Sequence, residues 1–170
     1  MMIGSVDELM ELLRACRGAW DAPDRGGDPV DLHDHGLQTA ALLRRSHPSD
    51  KELQVAGLVH DLGHLLRPGD FAGHAGLAAE ALRPLLGDRV ARLVRLHVPA
   101  QRHGEPGGRY EETGNRYEAP GAGPDAADAV TLRQADDAGK VVGLDAGVME
   151  DWRPVLELVA AGAYYQLPGA

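Results

Sequence analysis

The stretch that decides the fold is Leu58-Val59-His60-Asp61-Leu62-Gly63-His64, where two imidazoles and a carboxylate interrupt an apolar helical segment. His60 and His64 are four residues apart, which predicts a shared helix face with Asp61 one step around from His60. Burying this many polar groups costs free energy unless each finds a partner. A lone core histidine would need only one hydrogen bond, whereas this group indicates a metal ion as the common partner.

Other histidines and a late acidic pair extend the predicted ligand set. His35 and His97 share helix faces with apolar neighbours, His74 follows a glycine-containing turn, and Asp136 follows Leu132 by four residues. The predicted ligands are His35, His60, Asp61, His74, His97 and Asp136. Six ligands exceed what one tetrahedral zinc uses, and they suit two cations that share one bridging carboxylate. Nitrogen and oxygen donors without sulfur admit Fe, Mn, Zn or Co.

Two neighbouring residues are predicted to lie outside this set. His33 is two residues from His35 in the same predicted helix, so we expect it to face solvent. Asp137 adjoins Asp136 but points to another helix face, so we expect a surface charge there.

Composition excludes several classes of protein. A chain of 170 residues predicts one domain over residues 1–170, and its formal net charge of −9 argues against nonspecific binding to nucleic acid or anionic membranes. Cys16 is the only cysteine, so an intramolecular disulfide and a thiolate metal site are excluded. We see neither a signal-peptide pattern nor an apolar run long enough for a membrane helix, and we expect a cytoplasmic protein.

Apolar periodicity predicts an all-α bundle of six or seven helices, with no strand pattern. The predicted helices are Val6 to Trp20, Asp31 to Ser46, Asp50 to Leu66, His74 to Leu86, Asp88 to His97, Asp125 to Val142 and Glu150 to Tyr165. Two segments rich in glycine and proline, residues 21–29 and 104–124, are expected either to cover the site as a mobile lid or to serve as linkers. Arg25, Tyr110 and Tyr117 are their candidate contact residues.

The ordered set His35, His60-Asp61 and Asp136 resembles the HD-domain superfamily, an all-α fold populated mostly by metal-dependent phosphohydrolases. His74 and His97, placed between the His-Asp pair and the last aspartate, resemble a narrower branch of mixed-valent di-iron oxygenases. This branch comprises myo-inositol oxygenase and the organophosphonate oxygenases of the PhnZ and TmpB type. The similarity is closest to the organophosphonate enzymes, in the flanks His35 to Ala40, Arg92 to Val98 and Leu132 to Lys140, and spans roughly residues 25 to 155.

The resemblance implies a di-iron cofactor, Fe2+/Fe3+, and a role for each ligand. One iron would be held by His35, His60, Asp61 and Asp136, and the other by His74, His97 and the shared, bridging Asp61. The implied reaction is the O2-dependent cleavage of a small polar or anionic substrate at a C–P or C–C bond, with a 1-hydroxyalkylphosphonate as the first candidate.

The resemblance also implies how the substrate is bound. His64, implied to take part in catalysis as well, and Arg133 match positions that contact the phosphonate, for which imidazole and guanidinium are suitable donors. The chain departs from the family at three positions. Gln101 stands where the family has a phosphonate-binding lysine, and Arg25 and Asp28 stand where it has a gating tyrosine and glutamate.

Two other functions compete with the oxygenase. The first is an HD phosphohydrolase, in which a metal pair activates a water that attacks phosphorus. The second is a non-catalytic HD module used for binding, which is less well supported because no expected ligand is missing.

Overall fold

A computed structural model describes residues 1–21, 29–98 and 123–166. Within these residues the chain forms seven α-helices and one 3-10 helix, without a strand. They are α1 (Val6–Ala15), α2 (Leu32–Ser46), α3 (Lys51–Val59), α4 (Leu62–Leu66), α5 (His74–Leu96), α6 (Ala126–Ala138), the 3-10 helix (Met149–Trp152) and α7 (Arg153–Tyr165). The predicted all-α class is confirmed. The described helices include none that is both long and apolar enough to cross a membrane.

Side-chain caps begin the first three helices. Ser5, Asp31 and Asp50 each accept a hydrogen bond from the backbone N–H three residues later, at 2.9–3.2 Å. Each cap satisfies an amide that the first helical turn leaves without a partner. Ser5 stands directly before an amphipathic run, the usual place of a capping serine.

The prediction of one helix from Asp50 to Leu66 is wrong, because the chain breaks at His60 and Asp61. The His60 imidazole donates from Nδ1 to the carbonyl of Gly57 at 2.8 Å. An uninterrupted helix would offer that carbonyl to the amide of Asp61, so the side chain competes with the helix at this point. Asp61 accordingly leaves the helical conformation, with φ −96° and ψ 8°. His60 thus caps the end of α3 and His64 lies on α4, so the two residues do not share one helix face.

Three other predicted helix boundaries are also wrong. The first helix ends at Ala15 rather than Trp20, and the N–H of Gly18 instead donates to the Asp31 carboxylate at 2.8 Å. The sixth ends at Ala138 rather than Val142, where Gly139 turns the chain toward α2. The last begins as the 3-10 helix before α7 rather than as a regular helix at Glu150.

The reversal at Gly87 brings the two ends of α5 together. A straight helix of these 23 residues would be about 34 Å long. Gly87 instead has φ +87° and ψ 173°, so the helix folds back on itself as two segments. His74 and His97, at opposite ends of α5, consequently approach to 3.4 Å between their Nε2 atoms. The predicted split at Gly87 is confirmed, and it is what makes this pair of histidines possible.

The hydrophobic core surrounds α3, which packs against α2, α5, α6 and α7. The buried side chains of α3 meet large residues from other elements, among them Leu82, Leu93, Leu132, Trp152 and Leu156. The N-terminus joins this core through Ile3, which is fully buried and whose N–H donates to the carbonyl of Ala81 at 2.9 Å. The polar site described next lies at the edge of this core, between α2, α5 and α6.

We predict that Gly87→Ala lowers the free energy of unfolding by about 1–3 kcal/mol, because a side chain is strained at this positive φ. Its Cβ would also lie 3.1 Å from the Cβ of Ala163. The matched control is Gly76→Ala in the same helix, whose Cβ would meet nothing within 4 Å and which should be neutral or slightly stabilising. Urea unfolding of both variants measures the difference, and equal midpoints would contradict the proposed strain.

Candidate metal centre

Four side chains from three parts of the chain form the first cluster. His35 lies on α2, His60 and Asp61 at the break after α3, and Asp136 on α6. The Nε2 atom of His35 is 3.1 Å from Nε2 of His60 and 3.1 Å from Oδ1 of Asp136. Oδ2 of Asp61 is 3.3 Å from Nε2 of His35 and 3.2 Å from Nε2 of His60. One ligand atom of each residue thus lies within 4.8 Å of the others.

The second cluster uses the other oxygen of the same aspartate. Oδ1 of Asp61 lies 3.5 Å from Nε2 of His74 and 3.3 Å from Nε2 of His97. His74 and His97 are almost completely buried, as are the histidines of the first cluster. Asp61 therefore directs one carboxylate oxygen into each cluster, which is the geometry that a bridging ligand between two cations requires.

All four imidazoles present the same nitrogen to the clusters. Each donates from Nδ1 to a backbone carbonyl: His35 to Gly139, His60 to Gly57, His74 to Phe71 and His97 to Val94. A carbonyl can only accept, so Nδ1 carries the hydrogen and the neutral ring offers its Nε2 lone pair. This arrangement fixes both the tautomer and the orientation of a metal-binding histidine.

The electrostatics of the first cluster call for a cation. Two Nε2 lone pairs at 3.1 Å repel each other unless a proton or a metal ion lies between them. Without a metal, a proton between the two nitrogens removes this repulsion. Burial alone would lower the pKa of His35, but its hydrogen bonds to Asp136 and Asp61 raise that pKa to about 9. Burial opposes ionisation of Asp61, yet the neighbouring His60 holds its pKa well below the usual range. Nitrogen and oxygen donors in this arrangement fit first-row divalent metals, iron among them.

His64 adjoins the second cluster. Its ring stacks on that of His74 with 3.9 Å between centroids, and its Nε2 is 3.9 Å from Oδ1 of Asp61. The Nδ1 atom is buried and has no hydrogen-bond partner among the residues that the structure describes. Among the described residues its Nδ1 is therefore without an acceptor, unlike the Nδ1 atoms of the four histidines in the two clusters. Burial lowers the pKa of His64 to about 4, so the ring is neutral at physiological pH.

Arg133 lies beside the first cluster, on the same helix as Asp136. Its guanidinium is 3.3 Å from Oδ2 of Asp136 and 3.2 Å from Oδ1 of Asp137. Asp137 itself is exposed and contributes no atom to either cluster. Its predicted place on a different face from Asp136 is therefore correct.

Residues 32–137 match the HD-domain family, and this range contains all six converging side chains. The chain belongs to the HD-domain family. The His-Asp pair of this HD domain is His60-Asp61, at the helix break described above.

One curated relative of this HD domain is the hydroxymethylphosphonate dioxygenase of Gimesia maris. It is 33% identical over 85 residues, which cover 45% of the present chain and 42% of the relative. The chain thus spans less than half of the relative's length.

The HD domain brings together all six predicted ligands and places His64 and Arg133 beside them. The structure does not describe three other predicted site residues, Arg25, Asp28 and Gln101. Tyr110, Tyr117 and most of the two glycine-rich segments also lie outside the described residues.

The expectation that His33 faces solvent is wrong. Only 4% of this residue is exposed. Its Nδ1 is 3.0 Å from the Asp34 carboxylate, and its Nε2 is 3.4 Å from the guanidinium of Arg17. Arg17, just beyond the end of α1, covers this face of α2. The spacing of apolar residues within α2 cannot reveal this cover, because it comes from another part of the chain.

Sequence reasoning did not identify Gln38 and Gly139 as parts of the site. Gly139 supplies the carbonyl that accepts from His35, and Gln38 binds the backbone of Val141. The available signal was a glutamine one turn after His35, on the same face of the predicted helix.

We predict that Asp61→Ala prevents the binding of a metal pair, because Asp61 is the only described residue with a side-chain oxygen in both clusters. Asp137→Ala is the matched control, since its exposed carboxylate belongs to neither cluster. Metal analysis after anaerobic iron loading should give about two irons per chain for the wild type and the control, and fewer for Asp61→Ala. Equal iron loss in both variants would show that the carboxylates are wrongly assigned.

Proposed function

We propose that this HD domain is a di-iron enzyme that uses O2 to cleave the C–P bond of a small 1-hydroxyalkylphosphonate. The observation that carries the proposal is the division of the Asp61 carboxylate between two histidine clusters. The relative named hydroxymethylphosphonate dioxygenase supports the choice of substrate class. We further propose that the reaction takes place in the cytoplasm.

The two metal positions would be unequally coordinated. His35, His60 and Asp136 with one oxygen of Asp61 would hold the first iron, and His74 and His97 with the other oxygen would hold the second. Among the described residues the second position has fewer ligands, which leaves more room for a substrate hydroxyl and for O2. When bound, the iron pair would supply the redox capacity and Lewis acidity for the reaction.

His64 is placed to bind the substrate's anionic group. Its ring is held by stacking on His74, next to the more open metal position, and its buried Nδ1 is uncommitted among the described residues. A neutral imidazole can donate one hydrogen bond to a phosphonate oxygen, and no other contact needs to break first.

Arg133 would supply the positive charge for the same group. Its side chain is partly exposed and already lies next to Asp136, so a small rotation away from the exposed Asp137 would direct the guanidinium toward an anion. Guanidinium and phosphonate form charge-assisted, bidentate hydrogen bonds, which orient as well as attract. We propose Gln101 as a weaker, neutral contact, and Arg25 and Asp28 as further substrate contacts.

The proposed reaction balances with O2 as the only co-reactant. A 1-hydroxyalkylphosphonate and O2 give a carboxylate and inorganic phosphate. The C–P bond, one C–H bond of the same carbon and the O–O bond break, one oxygen atom is added to carbon and the other to phosphorus, and the hydrogen leaves as a proton. The electrons of the broken C–H and C–P bonds are the four that reduce O2. No external reductant is therefore consumed in a turnover.

The second candidate is an HD phosphohydrolase, which membership in the HD-domain family favours in its own right. The same ligand set could hold a metal pair that activates water for attack on a phosphate ester. The two candidates differ in one measurable property, because only the oxygenase requires O2.

The test is to load the full chain with iron anaerobically and add hydroxymethylphosphonate, with and without O2. We predict that phosphate release and O2 uptake proceed in equal amounts, and that phosphate release stops without O2. Asp137→Ala should retain the activity and Asp61→Ala should lose it. Phosphate release from a phosphomonoester without O2, together with no reaction on the phosphonate, would instead establish the hydrolase.

A further inference from the structure

The orientation of His35 depends on a distant part of the chain, unlike that of the other three imidazoles. His60, His74 and His97 each donate from Nδ1 to the carbonyl three residues earlier, so their own local backbone fixes the ring. His35 instead donates to the carbonyl of Gly139, 104 residues later, at 2.9 Å. Something must therefore hold Gly139 against α2.

Gln38 is the side chain that holds this segment. It lies one turn after His35 on α2 and is only 2% exposed. Its Nε2 donates to the carbonyl of Val141 at 2.8 Å, and its Oε1 accepts from the N–H of the same residue at 2.9 Å. A single side chain thus satisfies both backbone groups of Val141, two residues beyond the carbonyl that orients His35.

The apolar side chains that follow Lys140 pack little against the rest of the described structure. Val141, Val142 and Leu144 are 50%, 71% and 52% exposed. At Gly139 the backbone itself lies against α2, where an added Cβ would be 2.6 Å from Oγ1 of Thr39. The φ of Gly139 is −83°, which any residue can adopt. Glycine is needed here because there is no space for a side chain.

We propose that Gln38 is a positioning residue for the metal-binding atom of His35, acting through the backbone of Val141 and the carbonyl of Gly139. Without the two hydrogen bonds of Gln38, residues 139–141 can move away from α2, and Nδ1 of His35 loses its fixed acceptor. The imidazole can then rotate, so Nε2 no longer points steadily at the first cluster. The second cluster has its own local acceptors and is unaffected. This inference rests on the proposed metal centre.

The test is a Co2+ titration of the full chain, followed by absorbance, with wild type, Gln38→Met and Gln54→Met. His97→Ala identifies which binding phase belongs to the second cluster. We expect Gln38→Met to bind Co2+ about 10–100-fold more weakly at the first cluster, the usual effect of losing a group that orients a ligand. Binding at the second cluster should not change.

Gln54→Met is the matched control. Gln54 is also fully buried, and its Nε2 donates to the carbonyls of His47 and Pro48, at the opposite end of α3 from His60. Both variants lose hydrogen bonds to the backbone and should lose a similar amount of thermal stability. Only Gln38→Met should lose Co2+ affinity, so equal affinity loss in the two variants would overturn the positioning role.

A second variant, Gln38→Glu, keeps the shape of the side chain and the acceptor for the N–H of Val141, but it places a carboxylate against the carbonyl of Val141. It should also weaken Co2+ binding at the first cluster, and it takes the place of Gln38→Met in the titration if that variant does not fold. Wild-type Co2+ affinity in either folded variant would overturn the role of Gln38 and leave the metal centre intact. A wild-type chain that binds no Co2+ would overturn the metal centre and this inference together.

Discussion

Four imidazole nitrogens and two carboxylates must be held against one another at the edge of an apolar core, and the architecture follows from that constraint. Lone pairs at these separations repel, and buried carboxylates are costly without positive charge. The chain meets the constraint by interrupting regular helix where it is needed. The break at His60 and Asp61 frees a carboxylate with an oxygen in each cluster, and the reversal at Gly87 brings both ends of α5 to the site.

The sequence predicts the helical class and the candidate ligands, because apolar periodicity and isolated polar groups on apolar faces are local signals. It also predicts the split at Gly87, because a glycine between two helical patterns is a local signal too, but not that the two segments fold back on each other. The break at Asp61 was not predicted, since it arises from competition between the His60 side chain and its own helix. The burial of His33 under Arg17 and the Gln38 contact to Val141 were also missed, because both depend on packing between separate segments.

The fold and the types of ligand alone do not choose between oxidative and hydrolytic chemistry, because the same histidines and aspartates can hold metals for both. What favours the oxygenase is the unequal division of ligands, with three side chains besides Asp61 at one position and two at the other. His64 and Arg133 adjoin the two clusters and are suited to an anionic group. The relative that acts on hydroxymethylphosphonate, according to its name, agrees with this reading over the part of the chain that it covers.

Whether Asp61 bridges two metal ions is tested most directly by crystallography with anomalous scattering. Crystals grown anaerobically with iron, with data collected at the iron absorption edge, would locate each ion independently of the protein atoms. If Asp61 is the bridge, we expect two anomalous peaks about 3.5–4 Å apart, one on each side of its carboxylate. A single peak at the His35 cluster, with His74 and His97 turned away from Asp61, would contradict it.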